Sequence, residues 1–152
     1  MKKSPTPIRS HLGYRMRVVS NAVSQAFAQS LSNHGVTVAE WVVLREMFDA
    51  DGKTSPSTVA ELTGLTRGAV SKLVTRLLNK HLVARSESTG DRRYQDIKLT
   101  AKARQLVPSL ARVADKNDET FFSVLSAQEH KQLMATLVKL AEFHELSAAP
   151  IE

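Results

Sequence analysis

The sequence contains no cysteine, which excludes disulfides, a thiolate metal site and a thiol redox switch. It holds no run of about 18 apolar residues, so no segment is read as spanning a membrane. Neither a GxSxG motif nor a glycine-rich phosphate loop is found, and no carboxylates are paired for catalysis. Without a thiol nucleophile as well, the chain is not read as an enzyme. His11, His34, His81, His130 and His144 are scattered, with no carboxylate at ligand spacing from any pair, so no metal site and no cofactor are expected. The opening "MKKSPTPIRSHLG" has two lysines but no apolar stretch behind them, and is not read as a secretory leader. Repeats and long linkers are missing too. What is left is one cytoplasmic domain of 152 residues, long enough to bury its own core.

The net charge of +6 is segmental. Residues 1–20 carry five basic groups and no acid. Residues 21–65 and 105–152 each carry a net −3. Residues 66–104 hold ten basic and three acidic groups, a net +7. A charge run alone is equally a solvated face, so the motif beside it decides what it is for.

Apolar positions Ile8, Leu12, Met16, Val19, Val23, Ala26, Phe27 and Leu31 predict a long first helix, stopped at Gly35. Thr37 and Glu40 have capping-box spacing, with Val36 and Trp41 as a hydrophobic staple, so a second helix should run to about Phe48. "DADGKTSP" reads as a turn-rich break. A short helix over Ser57–Thr63 follows, opened by Ser55 with Pro56 or by Thr58 with Glu61. "TGLT" ends it, and from Thr66 a helix places Val70, Leu73, Val74, Leu77 and Leu78 on one face. "LVARSE" and "YQDIKLT" read as two strands around "STGDRR". Thr100 caps a helix interrupted or kinked at Pro108, and Ser126 with Glu129 caps a last one ending near His144.

A short helix, a tight turn at Gly64 and a helix with a basic outer face match the helix-turn-helix pattern. The outer face carries Gly68, Ser71, Lys72, Thr75, Arg76 and Asn79, small or hydrogen-bonding side chains suited to the major groove. Arg67 falls on the flank but in the first turn, where base edges are usually read. The basic hairpin directly after makes the unit a winged helix. The expected fold is all-α with a small β-hairpin.

The stretch Val59–Ala103 resembles the multiple-antibiotic-resistance regulator (MarR) family of bacterial transcription factors. The wing pattern of an acid, any residue, an arginine and a downstream Leu-Thr is present as Asp91, Arg92, Arg93 and Leu99-Thr100. The resemblance extends to the layout, a winged helix-turn-helix between long N- and C-terminal dimerisation helices. It implies one domain over 1–152, with 36–100 as the DNA-binding lobe and 1–35 and 101–152 as dimerisation helices. It also implies a homodimer on double-stranded DNA with a pseudo-palindromic operator, and a repressor in preference to an activator. By position, Arg67, Ser71 and Lys72 match recognition-helix residues, Arg93 the residue entering the minor groove, and Asp91 the acid that holds the wing in shape. Arg92 is assigned to phosphate, since adjacent residues of an extended segment point to opposite sides. Two positions where the family often has Gly are His81 and Ala103 here. The resemblance implies a small-molecule effector, such as a phenolic or lipophilic compound. Met16, Trp41, Met47 and Phe48 are candidates to line its cavity, although their spacing equally suits plain core positions. The residues alone also admit a winged helix serving as a protein- or RNA-interaction module. Membrane association is not expected, and the place of action would be the cytoplasmic nucleoid.

Overall fold

The computed structural model describes residues 5–86 and 96–151. Within them a short 3-10 turn, Ile8–Ser10, precedes α1 (Leu12–Ser32) and α2 (Val38–Asp49). Then come β1 (Lys53–Thr54), α3 (Pro56–Thr63), α4 (Arg67–Asn79), β2 (Val83–Arg85), β3 (Ile97–Leu99), α5 (Ala101–Phe121) and α6 (Ala127–Phe143).

The first helix is shorter than its apolar stripe predicts. Pro7 fixes the chain before the 3-10 turn, and His11 is extended, with φ −78° and ψ 130°, so α1 starts only at Leu12. The Arg15 Nε donates to the Arg9 carbonyl at 2.9 Å and ties the two pieces together. At the other end Gly35 takes φ 70°, and the Val36 N–H reaches back to the Leu31 carbonyl at 3.3 Å. That reversal lets α2 pack on α1, and Val36, Leu31 and Trp41 all join the core.

The Thr37–Glu40 capping box forms, with the Glu40 N–H to Thr37 Oγ1 at 3.2 Å and the Thr37 N–H to Glu40 Oε2 at 2.9 Å. The second box forms likewise at Ser126 and Glu129. Hydrogen bonds from the Ser126 N–H and hydroxyl hold the Glu129 carboxyl below its ordinary 4.5.

The sheet has a strand that the sequence reading treated as a break. Lys53–Thr54 pairs antiparallel with β3, and β2 pairs with β3 on the other side, giving the order β1-β3-β2. Two residues show no period, so only the tertiary setting marks them as a strand. Gly52 provides that setting. It takes φ 85°, its carbonyl accepts the Leu99 N–H at 2.8 Å, and an added Cβ would collide with the Arg104 guanidinium. Ile97 and Leu99 point into the core, while Lys98 faces outward opposite Lys53.

Leu31, Leu44, Met47, Leu73, Leu77, Ile97, Val107 and Leu110 form the buried centre, drawn from α1, α2, α4, β3 and α5. The α5 helix runs unbroken through Pro108, whose missing N–H leaves only the Arg104 carbonyl without its helical donor. The last helix differs from the rest: α6 buries no residue, while Met134, Leu137, Val138 and Phe143 stand exposed. Leu12, Met16, Val18 and Val19 on α1 are exposed as well.

Candidate nucleic-acid interface

The helix-turn-helix is built by three local devices. Ser55 Oγ accepts the Thr58 N–H at 3.1 Å and opens α3, with Pro56 at its first position. Gly64 closes it in the left-handed conformation, φ 68°, with its N–H on the Ala60 carbonyl at 2.8 Å. Thr66 Oγ1 then accepts the Ala69 N–H at 3.3 Å and opens α4. Inside the turn the buried Thr63 hydroxyl donates to the Val59 carbonyl at 2.7 Å and accepts the Leu65 N–H at 3.3 Å. No polar side-chain atom of the described turn is buried without a partner.

On α4 the apolar residues Val70, Leu73, Val74 and Leu77 are buried. Arg67, Gly68, Ser71, Lys72, Thr75, Arg76 and Asn79 are all exposed on the other side. An added Cβ at Gly68 would meet nothing within 4 Å, so packing within the chain does not demand glycine there. Thr75 Oγ1 donates back to the Ser71 carbonyl at 2.8 Å, which leaves its lone pairs, not its proton, for a ligand.

Arg76 is less free than its position suggests. Its Nε lies 3.5 Å from Glu40 Oε1, and Glu40 is 0% exposed. The Lys80 ammonium donates to both oxygens of the same carboxylate, at 2.9 and 2.7 Å, and to the Gly35 carbonyl at 2.8 Å. Burial pushes the Glu40 carboxyl up. The Lys80 hydrogen bond, the Thr37 N–H and the Lys80 and Arg76 charges outweigh burial and hold it below its ordinary 4.5. This enclosed acid therefore fixes the C-terminal turn of α4 to the start of α2.

Just beyond, His81 adopts φ 56° and lets the chain reverse into β2. The Thr100 hydroxyl donates to the His81 carbonyl at 2.7 Å, which fastens the hairpin base to the end of α4. The backbone thus keeps a left-handed residue there even though the side chain is not glycine. Ala103 sits fully buried in α5, where a methyl group fits the core.

A groove of about 460 Å³ lies between α3, α4 and β2, lined by Ser57, Glu61, Arg67, Ser71, Thr75 and Arg85 among others. Arg85 is a cation that the sequence reading did not single out. It is exposed at the end of β2 and lines this groove with Arg67. Its signal was available, because a strand following the recognition helix brings its last residue back beside that helix. Asp91, Arg92 and Arg93 lie outside the described residues. On either side of them the Ser86 N–H donates to the Asp96 carbonyl at 2.7 Å.

A family model for the MarR family matches residues 34–93, a stretch that includes α2, β1, α3, α4 and β2. Over that segment the chain resembles the MarR family. Solved structures with the same fold include the organohalide-sensing regulator RdhR with 2,4-dichlorophenol bound. It is 18% identical over 98% of this chain and 94% of its own, with TM-score 0.79. A mutant Escherichia coli MarR complexed with operator DNA is 20% identical over 85% of this chain and 92% of its own, with TM-score 0.72. The Mycobacterium tuberculosis MarR-family protein Rv2887, in complex with salicylic acid, is 26% identical over 86% and 96%, with TM-score 0.68.

None of the pockets described among these residues is lined by more than one of the four effector-cavity candidates. Met16 is exposed on α1, Met47 is in the core, and Phe48 packs partly against it. Trp41 stands edge-to-face with Phe27, ring centroids 6.4 Å apart, and lines a separate pocket with it. Helical spacing put these residues on related faces, but α1 and α2 turn those faces toward different neighbours.

Proposed function

We infer that this protein is a homodimeric transcriptional regulator that binds a pseudo-palindromic operator and answers to a small-molecule effector. The observation that carries it is the outer face of α4. Seven exposed small, polar or cationic residues stand on a helix whose other side is pinned by Val70, Leu73, Val74 and Leu77. In this reading α4 enters the major groove, with Arg67, Gly68, Ser71, Lys72 and Thr75 toward bases and phosphates. Arg93 enters the adjacent minor groove, Arg92 meets phosphate, and Asp91 holds the wing. Arg76 contributes its outer N–H groups while its Nε stays on Glu40, and Arg85 joins the phosphate contacts.

The second copy covers α6 and the outer face of α1. A row of Leu133, Met134, Leu137 and Val138 left in water is a protein interface by its chemistry. Residues 1–35 and 101–152 serve as dimerisation helices, and 36–100 as the DNA-binding lobe. Two-fold symmetry then sets the half-sites about one helical turn, roughly 34–36 Å, apart. The action is repression, the effector is a phenolic or lipophilic compound, and no catalysis is involved. No helix among the described residues is long and apolar enough to cross a membrane. The place of action in this reading is the cytoplasmic nucleoid.

Selection of bound DNA from a random library tests this. A pseudo-palindrome should emerge, Arg93→Ala should weaken binding to it with the dimer intact, and Lys72→Ala should lower the salt slope by about 1. If selection enriches no sequence, the operator reading is wrong, and the protein- or RNA-interaction module takes its place.

A further inference from the structure

The end of α6 turns the chain back onto the DNA-binding lobe. His144 closes the helix, Glu145 takes φ 53°, and the Leu146 N–H reaches over it to the Ala141 carbonyl at 2.9 Å. This is the six-to-one bond of a Schellman cap, held here by a residue that has a Cβ. The segment beyond it makes contacts with three elements. The Ala149 N–H donates to the Leu62 carbonyl at 2.9 Å. Ala148 lies beside Gly64, its Cβ 4.0 Å from where a Cβ on that glycine would stand. Pro150 closes a pocket of about 180 Å³ with Ser24, Phe27, Val38, Trp41 and Val42.

These contacts fall at one mechanical joint. Leu62 is in the last turn of α3, where carbonyls lack a donor from their own helix, and the tail supplies one. Gly64 is the turn that sets α4 against α3. Phe27 and Trp41 mark the junction of α1 with α2. The segment from Ser147 to Ile151 is uncharged and mostly small, so it grips by one backbone bond and one proline ring. So slight a grip opens far more readily than the core does.

We propose that Ser147–Ile151 is an intrachain strap that couples the far end of α6 to the helix-turn-helix, restraining the angle of α4 to the dimerisation helices. Its regulatory meaning rests on the DNA-binding reading above, whereas its mechanical part does not. Closed, the strap transmits a shift of α6 to the Gly64 turn. Open, it leaves the α3–α4 pair free to move.

Trp41 is the single tryptophan of the chain, so its fluorescence reports on the strap directly. Two variants suffice, a chain ending at Leu146 and Ala149→Pro, which removes the donor to Leu62 and also stiffens the backbone at 148 and 149. In both, acrylamide should quench Trp41 more strongly, with emission shifted to the red. Amide exchange in the peptide spanning Leu62 to Val70 should quicken by about fivefold, the factor that one net backbone hydrogen bond corresponds to. Dimer mass and helical circular dichroism should be unchanged, and operator affinity should move by a similar factor. Unchanged quenching in the truncated chain would show that the strap does not close over Trp41. Greater quenching with unchanged exchange and unchanged affinity would leave a cover without coupling, and would overturn the proposal. A wild-type protein that binds no DNA would sink the operator reading alone, since quenching and exchange are read without DNA.

Discussion

Replacing Glu40 with alanine should destabilise the protein more than any other single charge removal among the described residues. The carboxylate is fully enclosed and touches Lys80 Nζ at 2.7 and 2.9 Å and Arg76 Nε at 3.5 Å. Breaking a fully buried ion pair costs roughly 3–5 kcal/mol. Here the side chains of Lys80 and Arg76 are 36% and 52% exposed, so both can turn to water once the acid is gone. That removes the upper part of the range. A loss of about 2–3 kcal/mol is expected, including about 0.5–1 for the vanished capping box. For a chain of this size the melting temperature should fall by about 4–12 °C. Urea unfolding followed by circular dichroism gives the free energy, and Glu40→Gln, which keeps the shape but not the charge, should lie between wild type and alanine. The pH dependence is a second reading of the same group. Because the folded carboxyl titrates below the ordinary 4.5, its contribution is present above that value and is lost as pH falls below it. The alanine variant should therefore show a flatter stability profile through that acidic window. A change under about 0.5 kcal/mol, or an acid profile identical to wild type, would refute the account of Glu40 as the tie between α2 and α4.

Two further outcomes follow from other parts of the fold. His81→Gly should raise stability by about 0.5–1 kcal/mol, because the left-handed backbone strains a side-chain residue by slightly more than glycine's extra chain entropy. A lowered melting temperature would mean that the His81 side chain makes a contact outweighing that strain. Leu137→Glu places a charge on the exposed apolar face of α6 and should yield a monomer by light scattering, with secondary structure retained. A dimer that persists would move the interface away from α6.

The parts legible in the sequence are those decided by neighbours in the chain. Thr37 with Glu40, Ser126 with Glu129, and Thr66 before the Val70–Leu77 stripe each declare a helix start within four residues, and each forms where expected. Gly35 and Gly64 are equally local. What the sequence hides depends on distant partners. The strand Lys53–Thr54 exists only because Ile97 and Lys98 lie alongside it. Glu40 reads as a helix cap, and its larger role appears only when Lys80 is folded against it. The exposed face of α4 was readable because one amphipathic helix sorts its own sides. Helical spacing alone does not say which neighbour Met16 or Met47 will meet.

The order β1-β3-β2 also bears on how the chain assembles. β3 is the middle strand, so both outer strands must wait for it, and one of those is made well before it. α1 likewise packs on α5, with everything from α2 to β3 between them in sequence. A chain leaving the ribosome N-terminus first therefore carries four helices with unmatched apolar faces until Ile97, Leu99, Val107 and Leu110 arrive. Such late, long-range closure slows folding relative to a simple helical bundle. Through that interval the face of α1 that packs on α5 stays uncovered.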